Sequence, residues 1–181
     1  MLEIFVIAYC LYFAFNIYTS FMQIGYVKTA KNFDPIILES SKYLEAANYS
    51  IEKEKLAIVS TFYDFLIFMF WIGFGLSYLD SLVQIDSYIL KAIVFIDLFI
   101  ILNWLFTLPF DLYATFKLNK KYGFSNMTPS LFIKDTLKTG VLFLIFGSAV
   151  IAVISYIINE FSNWWLWGFV FIFAVIILIN M

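Results

Sequence analysis

The chain has 181 residues, 64% of them apolar and only 13% charged, with a formal net charge of −2 at pH 7. That apolar share exceeds the roughly 45–50% of a soluble domain, which makes the bilayer the natural solvent and one membrane domain the economical architecture. All basic side chains are lysine and they form no concentrated basic face, so nucleic acid is excluded as a partner.

Residues 4–27 carry no charge and exceed the roughly 20 residues that a spanning helix needs, so they predict the first membrane helix. Glu3 precedes the run and Lys28 follows it, the reverse of the positive start of a cleaved signal peptide, and the helix is expected to be retained.

Residues 28–55 are the most charged stretch, with five lysines and five acids. Asp34 before Pro35 predicts a helix cap and first turn, with Ile36, Ser40, Tyr43, Leu44 and Ala47 on one face of a short amphipathic helix. It reads either as a connector resting at the headgroup level or as the rim of an entrance to the membrane domain.

Residues 56–79 predict the second span, with Ser50 as its cap and Glu52 and Glu54 suited to the helix dipole. Asp64 lies within it, and a carboxylate at bilayer depth should face protein or water. Residues 89–108 predict the third span, with Lys91 near one end and Asp97 near its middle. Asp97, Trp104 and Asp111 recur every seven residues, a spacing that drifts only about 20° per repeat around a helix. The stripe is therefore expected to face the bundle interior or a water-filled chamber, Asp97 having as its alternative simple pairing with Lys91 or a polar group on a neighbouring helix.

The polar interruption that follows is ordered by its own chemistry. Pro109 should kink or weaken the arriving helix, Lys117, Lys120 and Lys121 mark the end of the buried segment, and Gly123 can supply a positive φ. Thr128 before Pro129 has the cap and first-turn chemistry of a new helix. Residues 139–158 predict the fourth span, with Ser148, Ala152 and Ser155 as a small-residue face suited to close helix packing. Residues 164–181 predict the fifth, opening on Trp164, Trp165 and Trp167 as an interfacial aromatic anchor. Eighteen residues barely cross a bilayer and no basic flank follows Met181, so a longer protein is expected to continue there.

Five lysines lie in residues 28–55 and five in residues 117–138, while residues 80–87 and 159–163 have none. With five spans, both lysine-rich loops fall on one side, and the positive-inside rule puts the N-terminus outside and the C-terminus in the cytoplasm. The expected fold is thus all-α integral membrane, residues 1–181 forming one five-helix domain.

The run LPFDLYATF, then KKYGF, then MT before an apolar helix resembles the loop after the third membrane helix of the integral-membrane zinc metallopeptidases that include the type I CAAX prenyl proteases. The residues that carry the resemblance are Leu108, Pro109, Phe110, Tyr113, Thr115, Phe116, Gly123, Phe124 and Thr128. The sequence departs from the family's usual Asn-Lys at Ser125-Asn126. A fainter likeness covers residues 49–63 and the Trp-rich start of the last helix.

The resemblance implies a membrane domain whose helices help enclose an intramembrane chamber around a peptide or membrane-protein substrate. The catalytic zinc and its HExxH helix would then belong to a C-terminal catalytic domain, the chain's expected partner beside the lipid bilayer. Such chemistry needs two histidines one helical turn apart and a glutamate base. The sequence has no histidine and one cysteine, Cys10, so no zinc site, no catalytic residue and no disulfide is expected in this chain, and the peptidase activity can belong only to the parent protein.

A transporter or channel component using Asp64, Asp97 and Lys91, and a structural subunit, are the alternative readings; neither gives the motif at 108–128 a role. The lysine-, isoleucine- and phenylalanine-rich, arginine-free composition points to a bacterial plasma membrane. Because bacteria largely lack prenylated proteins, that source would favour membrane-protein quality control.

Overall fold

The computed structural model describes residues 2–35 and 39–180. Five helices account for most of them: α1 Leu2–Ala30, α2 Ser40–Leu82, α3 Tyr88–Lys121, α4 Pro129–Glu160 and α5 Trp164–Asn180. Among the described residues there is no strand. The first four helices are long and apolar enough to cross a membrane by length and composition, and α5 is a shorter apolar helix of 17 residues. Phe5, Phe15 and Phe21 of α1 are 68, 66 and 59% exposed, a display of aromatic surface suited to a lipid solvent.

Contacts divide the chain into two units, Met1–Phe74 with Leu105–Met127, and Gly75–Trp104 with Thr128–Met181. In the first unit α1 packs on α2 through aromatic rings. Tyr9 stacks on Phe68 with centroids 3.8 Å apart, and Phe13 meets Phe65 at 4.5 Å and Phe62 at 5.0 Å. The Tyr43 hydroxyl donates to the Ala30 carbonyl at 2.9 Å, satisfying one of the acceptors left open at the end of α1. In the second unit Phe161 sits 5.6 Å from Trp167, closing the short turn between α4 and α5.

Two expectations about helix boundaries are corrected. The amphipathic segment is not a separate helix: Asp34 and Pro35 lie outside any helix, Ile36 lies outside the described residues, and Ser40 opens a helix that runs through Ser50 to Leu82. Ser50 is therefore interior and caps nothing. No glycine or proline occurs between Ser40 and Gly73, so nothing in the backbone chemistry stops the helix where its surroundings change from water to lipid.

Pro109 likewise ends nothing, since α3 continues through it to Lys121. Membrane-protein helices tolerate an internal proline because neighbouring groups and local adjustments re-satisfy the backbone around it. One such adjustment follows within a turn and a half, where Ala114–Leu118 is wound as a π-helical turn. A second π turn, Trp71–Gly75, interrupts α2.

The start of α4 matches its expectation. Thr128 is extended, with φ −91° and ψ 152°, its side chain accepts from the Leu131 N–H at 3.3 Å, and Pro129 occupies the first turn. Gly123 has φ +72°. A Cβ there would be strained in the left-handed region, so the turn selects glycine.

Candidate functional site

The polar end of the first unit gathers the start of α2, the last turns of α3 and the loop that follows. Tyr49 is its pivot. Its hydroxyl donates to Asn119 Oδ1 at 3.0 Å, while its ring lies 4.7 Å from Phe124 and 5.2 Å from Tyr122. One turn further along α2, Glu52 accepts from Lys121 Nζ at 2.6 Å. The same ammonium stands 5.1 Å from the Tyr122 ring, a cation–π contact. Partial desolvation, followed by the nearby Glu52 carboxylate, holds the Tyr122 phenol above its ordinary value.

These contacts form a clasp between residues far apart in sequence. They give the Gly123 turn its purpose, because only a reversal directly after Lys121 brings Phe124 back onto Tyr49. Lys121 itself ends α3, where a cation suits the helix dipole.

Beside the clasp lies an open groove of about 990 Å³. Pro109, Phe110, Tyr113 and Phe116 of α3 line it opposite Leu56 and Val59 of α2, with Lys55, Lys117, Lys120 and Lys121 around it. Phe110 is fixed by Tyr63, 5.1 Å away. Four of the nine residues carrying the motif therefore share one surface. Phe124 belongs to the clasp, Thr128 caps α4 and Gly123 makes the turn, while Leu108 and Thr115 are partly buried in α3.

The membrane-level carboxylates have separate settings. Asp97, in the second unit, accepts from the Ser148 hydroxyl at 2.7 Å, and that hydroxyl is also 2.6 Å from the Leu144 carbonyl. Lys91 pairs with Asp80 at 2.7 Å, so the polar group on a neighbouring helix that Asp97 finds is Ser148. Trp104 is 38% exposed, and Asp111 and Asp64 are exposed. The stripe expected from heptad spacing thus has one member in a hydrogen bond and two with open surface.

Of the clasp residues, the sequence singles out Glu52 only for the helix dipole and Lys121 only as a mark of the end of the buried segment, and it does not single out Tyr49, Asn119 or Tyr122. The signal available was the spacing of Tyr49 and Glu52, three apart and so on one helical face, but it has meaning only if the helix begins before residue 49.

Among the described residues no three His, Cys, Asp or Glu side chains converge, and the sequence supplies no imidazole.

The family model described as CAAX prenyl protease N-terminal, five membrane helices, matches residues 23–181. A probable CAAX prenyl protease 1 from Schizosaccharomyces pombe is 29% identical over 191 residues, covering 91% of this chain and 39% of the relative. CAAX prenyl protease 1 of Saccharomyces cerevisiae is 27% identical over 184 residues, covering 92% of this chain and 40% of the relative. The chain thus spans about two-fifths of the length of these curated relatives, both of them eukaryotic. The crystal structure of S. mikatae Ste24p shares the fold at a TM-score of 0.87 and 23% identity, covering 97% of this chain and 44% of that one. With the match covering residues 23–181, from the last turns of α1 onward, the chain belongs to the CAAX prenyl protease N-terminal family and is an integral, multi-pass membrane protein.

Proposed function

We propose that this chain is the membrane portion of a zinc metalloendopeptidase of the CAAX prenyl protease type, helping to enclose an intramembrane chamber that receives a peptide or membrane-protein substrate. The observation that carries the reading is the family match over residues 23–181. The ordered motif between Pro109 and Thr128 supports it, because a generic transporter has no need of that turn, cap and groove. Asp64 and Asp111 support the chamber: exposed carboxylates at or near bilayer depth are costly against lipid and call for water or further protein.

In this reading the catalytic HExxH helix and its zinc belong to a C-terminal domain on the cytoplasmic side. The N-terminus lies outside, because both lysine-rich loops then face the cytoplasm. Residence in a bacterial plasma membrane rests on composition alone, and the relatives named above lend it nothing.

Orientation is tested with single cysteines at Lys121 and Glu160 in a Cys10→Ser background. They should react with impermeant reagent from opposite faces of the membrane; reaction from one face would end the five-span arrangement. For the catalytic assignment, the reading frame beyond codon 181 should encode HExxH within an apolar or amphipathic helix, and a frame with no such motif would remove the peptidase reading.

A further inference from the structure

The groove beside the clasp has a second property that the peptidase reading does not use. Lys55 stands directly before the apolar run that begins at Leu56, and Lys117 and Lys120 stand just beyond the apolar part of α3, so all three ammonium groups belong at headgroup level. All three are exposed and line the groove. Among the described residues none of them forms an ion pair, whereas Lys121 is taken by Glu52 at 2.6 Å. That pairing also neutralises Glu52, the one carboxylate among the described residues of the groove wall, leaving an excess of three positive charges among them. Below the charges the wall turns apolar, with Leu56, Val59 and Phe110. The volume, about 990 Å³, lies at the top of the roughly 300–1,000 Å³ range of small-molecule sites.

A site that is cationic at one end and apolar at the other, set where a membrane changes from headgroup to hydrocarbon, matches an amphiphile with an anionic head. Basic pockets between spanning helices are recognised seats for phosphate-bearing lipids. An acidic peptide would satisfy the lysines and leave the apolar half of the groove without a counterpart. We infer that this groove seats an anionic glycerophospholipid, its phosphate held by Lys55, Lys117 and Lys120 and its acyl chain laid along Leu56, Val59 and Phe110.

The chain is purified in a neutral detergent and offered equal amounts of phosphatidylglycerol and phosphatidylcholine, and the lipid retained per chain is counted by native mass spectrometry. Phosphatidylglycerol should be kept in clear preference, and Lys55→Gln, Lys117→Gln and Lys120→Gln should each lower its retention about fivefold, the effect of one lysine near a lipid surface. The preference should weaken as salt is raised. Lys134→Gln with Lys138→Gln, on α4, should leave it unchanged. If a glutamine variant fails to fold, the triple arginine variant keeps the test open, because it preserves charge and should retain the lipid.

Equal retention of the two lipids would overturn the proposal, as would equal loss in the α4 variant. Competition by inorganic phosphate as effective as by phosphatidylglycerol would reduce the groove to a phosphate site. Stronger displacement by an oligoglutamate peptide would replace the lipid with a peptide.

Discussion

The clasp of the first unit and the α3–α4 contact of the second solve the same problem in different solvents. At the polar end, Tyr49 holds Asn119, Tyr122 and Phe124 together while Glu52 holds Lys121, several contacts converging because water competes for each. At bilayer depth, one hydroxyl on Asp97 serves, because lipid offers the carboxylate no alternative. Redundancy belongs where water is available, and single contacts suffice where it is not.

The most severe test of that contrast removes the pivot. Tyr49→Ala deletes two aromatic contacts, each worth about 0.5–1.5 kcal/mol, and a hydrogen bond worth about 1 kcal/mol, so the unfolding free energy in detergent should fall by roughly 2–4 kcal/mol. Tyr49→Phe should lose only about the hydrogen bond. If both variants unfold like the parent chain, the clasp is ornament.

Next in size is Ser148→Ala, which strips Asp97 of its donor and should cost about 1–2 kcal/mol in the same measurement. Asp97→Leu should cost less, because Ser148 still has the Leu144 carbonyl 2.6 Å away. The reverse order would show that the carboxylate, and not its satisfaction, matters for stability, and would favour a chamber role for Asp97.

The smallest effect sharpens the boundary between the regions. Thr128→Ala removes the cap of α4 and should cost about 1 kcal/mol, with faster amide exchange at Leu131, whereas Thr128→Ser should behave like the parent. Unchanged exchange at Leu131 in the alanine variant would mean that the cap hydrogen bond contributes nothing to the start of the helix.

Features fixed by one or two residues were legible in the sequence. Gly123 and the Thr128–Pro129 pair impose local backbone states that few residues adopt, and both expectations match the structure. The lengths of the helices were not legible in the same way. A polar-to-apolar change at Leu56 reads as a helix start, yet it marks where the solvent changes while the backbone continues. Pro109, just past the predicted third span, reads as a kink or weak point, yet a helix packed through Phe110 onto Tyr63 runs past it, and the winding changes only at Ala114. The clasp was illegible for the same reason, since Tyr49 and Glu52 share a face only on the longer helix. The groove was half legible: its α3 wall is the family motif, while its α2 wall depends on tertiary pairing.

Tyr49 and Asn119 are 70 positions apart along the chain. At a synthesis rate of about 5–20 residues per second, the segment around Tyr49 must wait roughly 4–14 s after Tyr49 is made before its partner exists. During that interval the early part of α2 has no closing contact from α3. Arrival of the Asn119–Phe124 stretch then closes it, so the clasp records, within the finished molecule, that the third helix has been delivered in the correct direction.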